Sequence, residues 1–258
     1  MIIFKKLTTL SLCCFMILSM FCVNSSASGS YCWFIKRNGN GRPTFPEDSE
    51  MVRKYNGYFI DDSLDENEKR LYLTFDAGYE NGNIERVLDA LKTEKVPAAF
   101  FVLDNLILKN TDLVVRMGDE GHLVCNHTKR HKDLSFADKG EIEKDLSALE
   151  EIYKEKTGRE MARYFRFPEG RYSENAMKAI CELGYKTVFW SFAYYDWDNS
   201  KQPSPDAAKK KILENTHNGA VILLHPTSAT NADILPELIS AWREMGYSFG
   251  SLDELCGK

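Results

Sequence analysis

The chain lacks the features that would mark a binder of nucleotides or nucleic acids. No glycine-rich phosphate loop follows its first regular β run, so a nucleotide fold loses ground. No basic stripe runs along it either. Its 33 Lys and Arg against 38 Asp and Glu leave a formal charge of −5, and removing Lys5 and Lys6 with the leader described below takes this to −7. Nucleic acid is therefore a poor partner. There are seven cysteines but no CxxC spacing, which argues against a zinc knuckle or a dense disulfide framework. Cys13, Cys14 and Cys22 fall in the leader, while Cys32, Cys125, Cys181 and Cys256 are too scattered for any pairing to be read from sequence. Histidine is scarce, with five in the chain, so where each one falls is informative.

What is present begins with an export signal. "MIIFKK" is basic, "LTTLSLCCFMILSMFCV" is an uncharged apolar run, and "NSSAS" supplies the small residues that a signal peptidase reads. Residues 1–27 read as a secretory signal peptide cleaved after Ala27. The alternative is an uncleaved membrane anchor, because seventeen apolar residues nearly suffice to span a bilayer. A lipoprotein fits less well, since Phe21 before Cys22 is bulky. The remaining 231 residues can bury a substantial core. Residues 28–70 are polar and rich in turn formers, as in "RNGNGRPTFPED", and read as an irregular N-terminal wrap rather than a separate domain.

From residue 71 to 258 the chain is regular. Short β-rich runs at 71–75, 98–103, 122–125, 164–167, 186–191, 220–224 and 247–250 alternate with amphipathic helical stretches. In "KGEIEKDLSALEEIYKEK", for example, Ile142, Leu146, Leu149 and Tyr153 fall at helical spacing. Seven strands alternating with six helices predict an α/β fold with a parallel sheet, and specifically a closed or nearly closed (β/α) barrel. In such a barrel function gathers at the C-terminal strand ends. Asp76 leaves the first strand, His127 and His131 follow the third, Arg166 ends the fourth, Asp196 follows the fifth and His225 the sixth.

Taken singly, each residue has an ordinary structural reading. Asp76 before Gly78 fits a turn. An isolated His-x₃-His pair is more often a solvent-facing loop than a metal site, although four-residue spacing on a helical turn puts two imidazoles on one side and neutral imidazole suits zinc. Arg166 could form a surface ion pair, His225 could be a core-edge histidine, and Asp196 could cap a turn. Five strand ends delivering chemistry together are harder to dismiss. His122 and His217 are left out of the constellation. The first precedes a strand, and the second ends a helix, where a cation is favoured.

The strings "TFDAGYENG", "HTKRH", "RFPEG", "DW" and "LLH" occur in an order and spacing that resemble the polysaccharide deacetylases (carbohydrate esterase family 4, the NodB-homology domain) over about residues 70 to 250. Within that family "FDAGYENG", "FWSFAYYDW" and "WFIKRN" look like the sporulation branch. The resemblance implies a distorted (β/α)7-type barrel that removes the N-acetyl group from peptide-stripped N-acetylmuramic acid in peptidoglycan, toward the muramic δ-lactam of spore cortex. It implies peptidoglycan strands as partner, prior action of a muramoyl-alanine amidase, and work in the cell wall or the forespore intermembrane space. By the same resemblance Asp76 is the catalytic base, Arg166 its tether, His225 the general acid and Asp196 the aspartate near that acid. His127 and His131 are the ligands of a divalent ion, zinc first, with manganese, cobalt or magnesium as alternatives. Pro168, Trp197 and Leu223 would line the sugar groove, and the backbone N–H of Glu169 would stabilise the oxyanion.

One departure stands out. The family usually reads "TFDDG" and its second Asp binds the metal, whereas this chain has Ala77. Two imidazoles alone imply a weakly held ion. Deacetylation of N-acetylglucosamine in peptidoglycan or chitin-like oligomers, and a silent glycan binder, are the competing readings.

Overall fold

Leu71, Leu73, Phe75 and Ala77 are fully or almost fully buried, and so are Tyr72 and Thr74 between them. A strand buried on both faces is the mark of a central parallel strand. The computed structural model, which describes residues 29–39, 41–65 and 67–257, bears this out. Before it come β1 (Tyr31–Cys32), β2 (Lys36–Asn38), β3 (Gly41–Thr44), α1 (Ser49–Lys54) and β4 (Gly57–Tyr58). The central strand is β5 (Arg70–Ala77), followed by α2 (Ile84–Glu94), β6 (Ala98–Val102), α3 (Asp104–Lys109), α4 (Thr111–Asp119) and β7 (Leu123–Asn126). Next are α5 (Lys139–Thr157), β8 (Ala162–Phe165), a 3₁₀ turn (Pro168–Gly170), β9 (Arg171–Tyr172), α6 (Glu174–Glu182) and β10 (Lys186–Val188). The chain closes with α7 (Pro205–Leu213), β11 (Ala220–Leu224), α8 (Ala229–Glu244), β12 (Ser248–Phe249) and α9 (Leu252–Leu255).

The main sheet runs β11-β5-β6-β7-β8-β10-β4, all parallel, with β12 also paired to β5. It curls into the expected distorted barrel, and the seam between β10 and β11 is where the distortion lies. At the top the segment after β10 meets β11 directly: the Ser191 and Phe192 N–H groups donate to Val221 O at 2.9 and 3.2 Å, and Leu223 N–H donates to Phe192 O at 2.9 Å. At the bottom the gap is filled by β4 and the residues after it, with Asp61 N–H donating to Gly219 O at 2.9 Å. Only glycine fits at 219, because a Cβ there would lie 2.2 Å from Asp61 O. The stretch before residue 71, expected to be irregular, therefore holds a helix and supplies a barrel strand. Its composition hides this because the strand is only two residues long and its register is set by β10.

Strand alternation sorts the side chains. Leu71, Leu73 and Phe75 face outward into the cluster with α2, α4 and α8. Tyr72, Phe101, Cys125, Tyr164, Val188 and Val221 fill the barrel floor. Helix α5 has the expected buried face of Ile142, Leu146, Leu149 and Tyr153. It starts at an Asp138–Glu141 capping box and ends at Gly158 in the left-handed conformation. None of Cys32, Cys125, Cys181 and Cys256 is in a disulfide. No helix among the described residues is long and apolar enough to cross a membrane, and the leader lies outside those residues.

Candidate active site

Parallel register decides which strand ends meet. Asp76 pairs with Phe101 and Phe75 with Leu224, so Asp76 and His225 emerge level on adjacent strands. Asn126 pairs with Phe165, so His127 and Arg166 emerge level on the next pair. Arg166 is wholly buried and every arm of its guanidinium is used. Nε donates to Val188 O at 2.9 Å, Nη2 to Thr74 Oγ1 at 2.9 Å and to Phe189 O at 3.3 Å, and Nη1 to Asp76 Oδ1 at 2.8 Å. The group also stacks 4.2 Å over the Phe101 ring. A buried arginine this fully bonded has one orientation, and it fixes the carboxylate of Asp76. Burial opposes ionisation of Asp76, yet the charge and hydrogen bond of Arg166, helped by cationic His225, more than offset it and hold the carboxyl below its ordinary range. Oδ1 is committed to Arg166, which leaves Oδ2 for chemistry.

Across the cleft, His225 Nδ1 donates to Asp196 Oδ1 at 2.7 Å. Asp196 is only 1% exposed, and its Oδ2 accepts from the His225 backbone N–H at 2.9 Å and from Asn231 Nδ2 at 2.6 Å. Burial pushes the His225 pKa down, but the Asp196 charge and hydrogen bond, helped by Asp76, win and raise it. With Nδ1 so held, Nε2 is the edge left for a proton transfer.

His127 Nδ1 lies 2.8 Å from Arg166 O, a contact that a neutral ring makes by donating. Its Nε2 then faces Asp76 Oδ2 at 3.5 Å. Burial, only partly opposed by Asp76, takes its pKa down to about 4. His131 stands beside it with ring centroids 5.0 Å apart, and both line the cleft with Asp76. A neutral imidazole oriented through its far nitrogen by a backbone carbonyl is the arrangement of a metal ligand. Ala77 lines the same cleft beside these residues but offers only a buried methyl, with no donor. Among the described residues no group of three or more His, Cys, Asp or Glu side chains is arranged to hold a metal ion. The donor set thus fits an ion held by two imidazoles, not by a full protein cage.

The cleft has a volume of about 720 Å³. Leu223 contributes to it from β11, His225 from just beyond that strand, Glu169 from the 3₁₀ turn, and Trp197, 56% exposed, from its rim. Pro168, expected in the groove, is buried in the 3₁₀ turn and is not among the residues lining the cleft. Sequence reasoning did not single out Trp190, Tyr79 and Tyr194, which also line the cleft, or Thr74 and Asn231, which hold Arg166 and Asp196. Trp190 and Tyr79 stand at strand ends and were findable by that rule. Asn231 sits in α8 and has no sequence signal. The two histidines set aside lie away from the cleft. His217 is not a helix-end cation: it is buried, held by Asn215 O and Ser191 Oγ, and burial lowers its pKa. His122 precedes β7, also buried.

Comparison with known proteins agrees with this geometry. The family model for polysaccharide deacetylase matches residues 63–188. The chain is 38% identical over 226 residues to the peptidoglycan-N-acetylmuramic acid deacetylase PdaA of Bacillus subtilis, covering 86% of this chain and 84% of that one. The solved structure of that protein, a family 4 carbohydrate esterase, superposes with a TM-score of 0.83 at 35% identity, covering 88% of this chain and 96% of that one. A family 4 carbohydrate esterase from Bacillus anthracis superposes with a TM-score of 0.72 at 35% identity, over the same shares.

Proposed function

The chain belongs to the polysaccharide deacetylase family, and from that membership we propose that it removes the N-acetyl group from N-acetylmuramic acid residues of peptidoglycan. The observation that carries the chemistry is the pairing across one cleft of a carboxylate held ionised by a buried arginine with a histidine held protonated by a buried aspartate. The choice of muramic acid rests on the likeness to PdaA over most of both chains. The proposal includes removal of the peptide by an amidase before this step, a product leading to muramic δ-lactam in spore cortex, and action outside the cytoplasm.

Asp76 Oδ2 is the base. It takes a proton from a water in the cleft as the water oxygen attacks the acetyl carbonyl carbon. Arg166, by occupying Oδ1, keeps the carboxylate ionised and aimed. The carbonyl oxygen gains negative charge, and the backbone N–H of Glu169 is the donor assigned to it. His225 Nε2–H then gives its proton to the sugar nitrogen as the C–N bond breaks, releasing acetate and a free amine. Asp196 stabilises the cationic histidine before that transfer. His127 and His131 would hold a divalent ion, zinc first, with manganese, cobalt or magnesium able to replace it. Such an ion supplies charge stabilisation and a more acidic water. Trp197 and Leu223 bound the sugar site.

Incubation of the purified protein with peptide-stripped peptidoglycan, with and without chelator, tests this by mass of the products. Acetate is expected from muramic acid, with loss on chelation. Release from N-acetylglucosamine alone would sink the muramic assignment. No release from any glycan with added zinc, manganese or magnesium would leave a silent binder. Asp76→Asn should fold normally and release no acetate; activity in that variant would remove Asp76 as the base.

A further inference from the structure

Residues 31–37 cross the rim of the barrel as a strap, and its tethers converge on one feature, the backbone carbonyls of the cleft wall. β1 pairs antiparallel with β9, Cys32 opposite Arg171. The Trp33 backbone N–H donates to Gly170 O at 2.8 Å. Its indole Nε1 donates to Trp190 O at 2.9 Å, Cys32 Sγ lies 3.8 Å from Glu169 O, and Arg37 donates to Ala193 O. Glu169, Trp190 and Ala193 all line the cleft. A strap serving only to cover core would have no need to meet the wall at each of these points.

The turn it grips is the one that most needs gripping. Glu169 has φ 55° and ψ 10°, and Gly170 has φ 66°. Left-handed backbone costs a residue with a Cβ about 1–2 kcal/mol and persists only where the surroundings enforce it. They do so here. A Cβ at Gly170 would lie 2.9 Å from the Trp190 ring and 3.1 Å from Trp33 Cβ, so the two tryptophans close on the turn. Trp33 is itself packed in place: it is 3% exposed, with its ring centroid 4.7 Å from those of both Phe59 and Phe189.

We infer that the strap, through Trp33, is a positioning device for catalysis, holding the Glu169 turn so that its N–H meets the carbonyl oxygen as charge develops there. This rests on the assignment of Glu169 as oxyanion donor made above. Trp33 touches no substrate and acts only through Glu169 and Trp190. An interaction realised mainly in the transition state affects kcat rather than KM.

The test compares wild type, Trp33→Phe and Trp33→Leu on peptide-stripped peptidoglycan, at a temperature where circular dichroism shows each fully folded. Trp33→Phe keeps a ring but loses the bond to Trp190 O. Loss of an oxyanion donor outright costs about 10²–10³ in kcat, so a loosened one should cost about threefold to tenfold in Trp33→Phe and about thirtyfold or more in Trp33→Leu. KM should stay within about twofold and the pH limbs should not move. A role confined to stability predicts a lower Tm with unchanged kcat in the folded protein, and that result overturns the inference. So does a raised KM at wild-type kcat. If Trp33→Leu does not fold, Trp33→Phe decides alone. Wild-type protein that releases no acetate overturns the deacetylase assignment and this inference with it; an active wild type with unchanged Trp33→Phe overturns the inference alone.

Discussion

Asp196→Asn tests the acid half of the site with almost no change of shape. Asp196 Oδ1 accepts from His225 Nδ1 at 2.7 Å, and Oδ2 accepts from the His225 N–H and from Asn231. An asparagine offers one acceptor and one donor to these three donors. Its amide nitrogen must therefore face either the backbone N–H and Asn231 or the His225 ring. The second choice leaves fewer donors unmatched, and it makes Nδ1 an acceptor, so that His225 becomes neutral with its proton on Nε2. Unit charges about 4 Å apart at an effective dielectric near 20 attract by roughly 4 kcal/mol. Burial would then act against the Asp76 charge alone, so the His225 pKa, raised in the wild type, falls. The pH profile of kcat for acetate release should show it. The alkaline limb should move to lower pH, and kcat at neutral pH should fall by about 10²–10⁴. KM should hold, because Asp196 is buried away from the sugar. An alkaline limb left in place would refute the assignment of His225 as the acid set by Asp196.

Two further outcomes follow from the same coordinates. Ala77→Asp puts a carboxylate beside His127 and His131; without metal the buried charge should lower Tm, and zinc should raise Tm by more than it does in wild type. An equal zinc shift in both proteins would show that position 77 does not face the ion. His122 concerns stability alone. Both of its ring nitrogens are buried without a hydrogen-bond partner, and burial lowers its pKa to about 4. The unfolded chain, near 6.5, takes the proton first, so stability is lost as pH falls from about 6.5 to 4, by up to about 3 kcal/mol at 1.36 kcal/mol per unit. His122→Leu should unfold in urea with a flatter acid-side dependence; the same slope as wild type would remove His122 as its source.

The alternation of β-rich and amphipathic runs is a local property, and it predicted a parallel (β/α) barrel and marked Asp76, His127, Arg166 and His225 as strand-end residues. It did not reveal β4, because a two-residue strand has no periodicity and gains its place only from β10 and the Gly219–Asp61 contact. Nor did it place Pro168, since a groove wall and buried packing outside it share the same apolar composition. The sequence by itself determined which reactive groups the chain carries and the missing donor at Ala77. Only the tertiary structure decided their protonation and aim. Those depend on distances between residues far apart in the chain, such as Arg166 to Asp76, Asn231 to Asp196 and Trp33 to Gly170, and on the burial that strengthens each interaction.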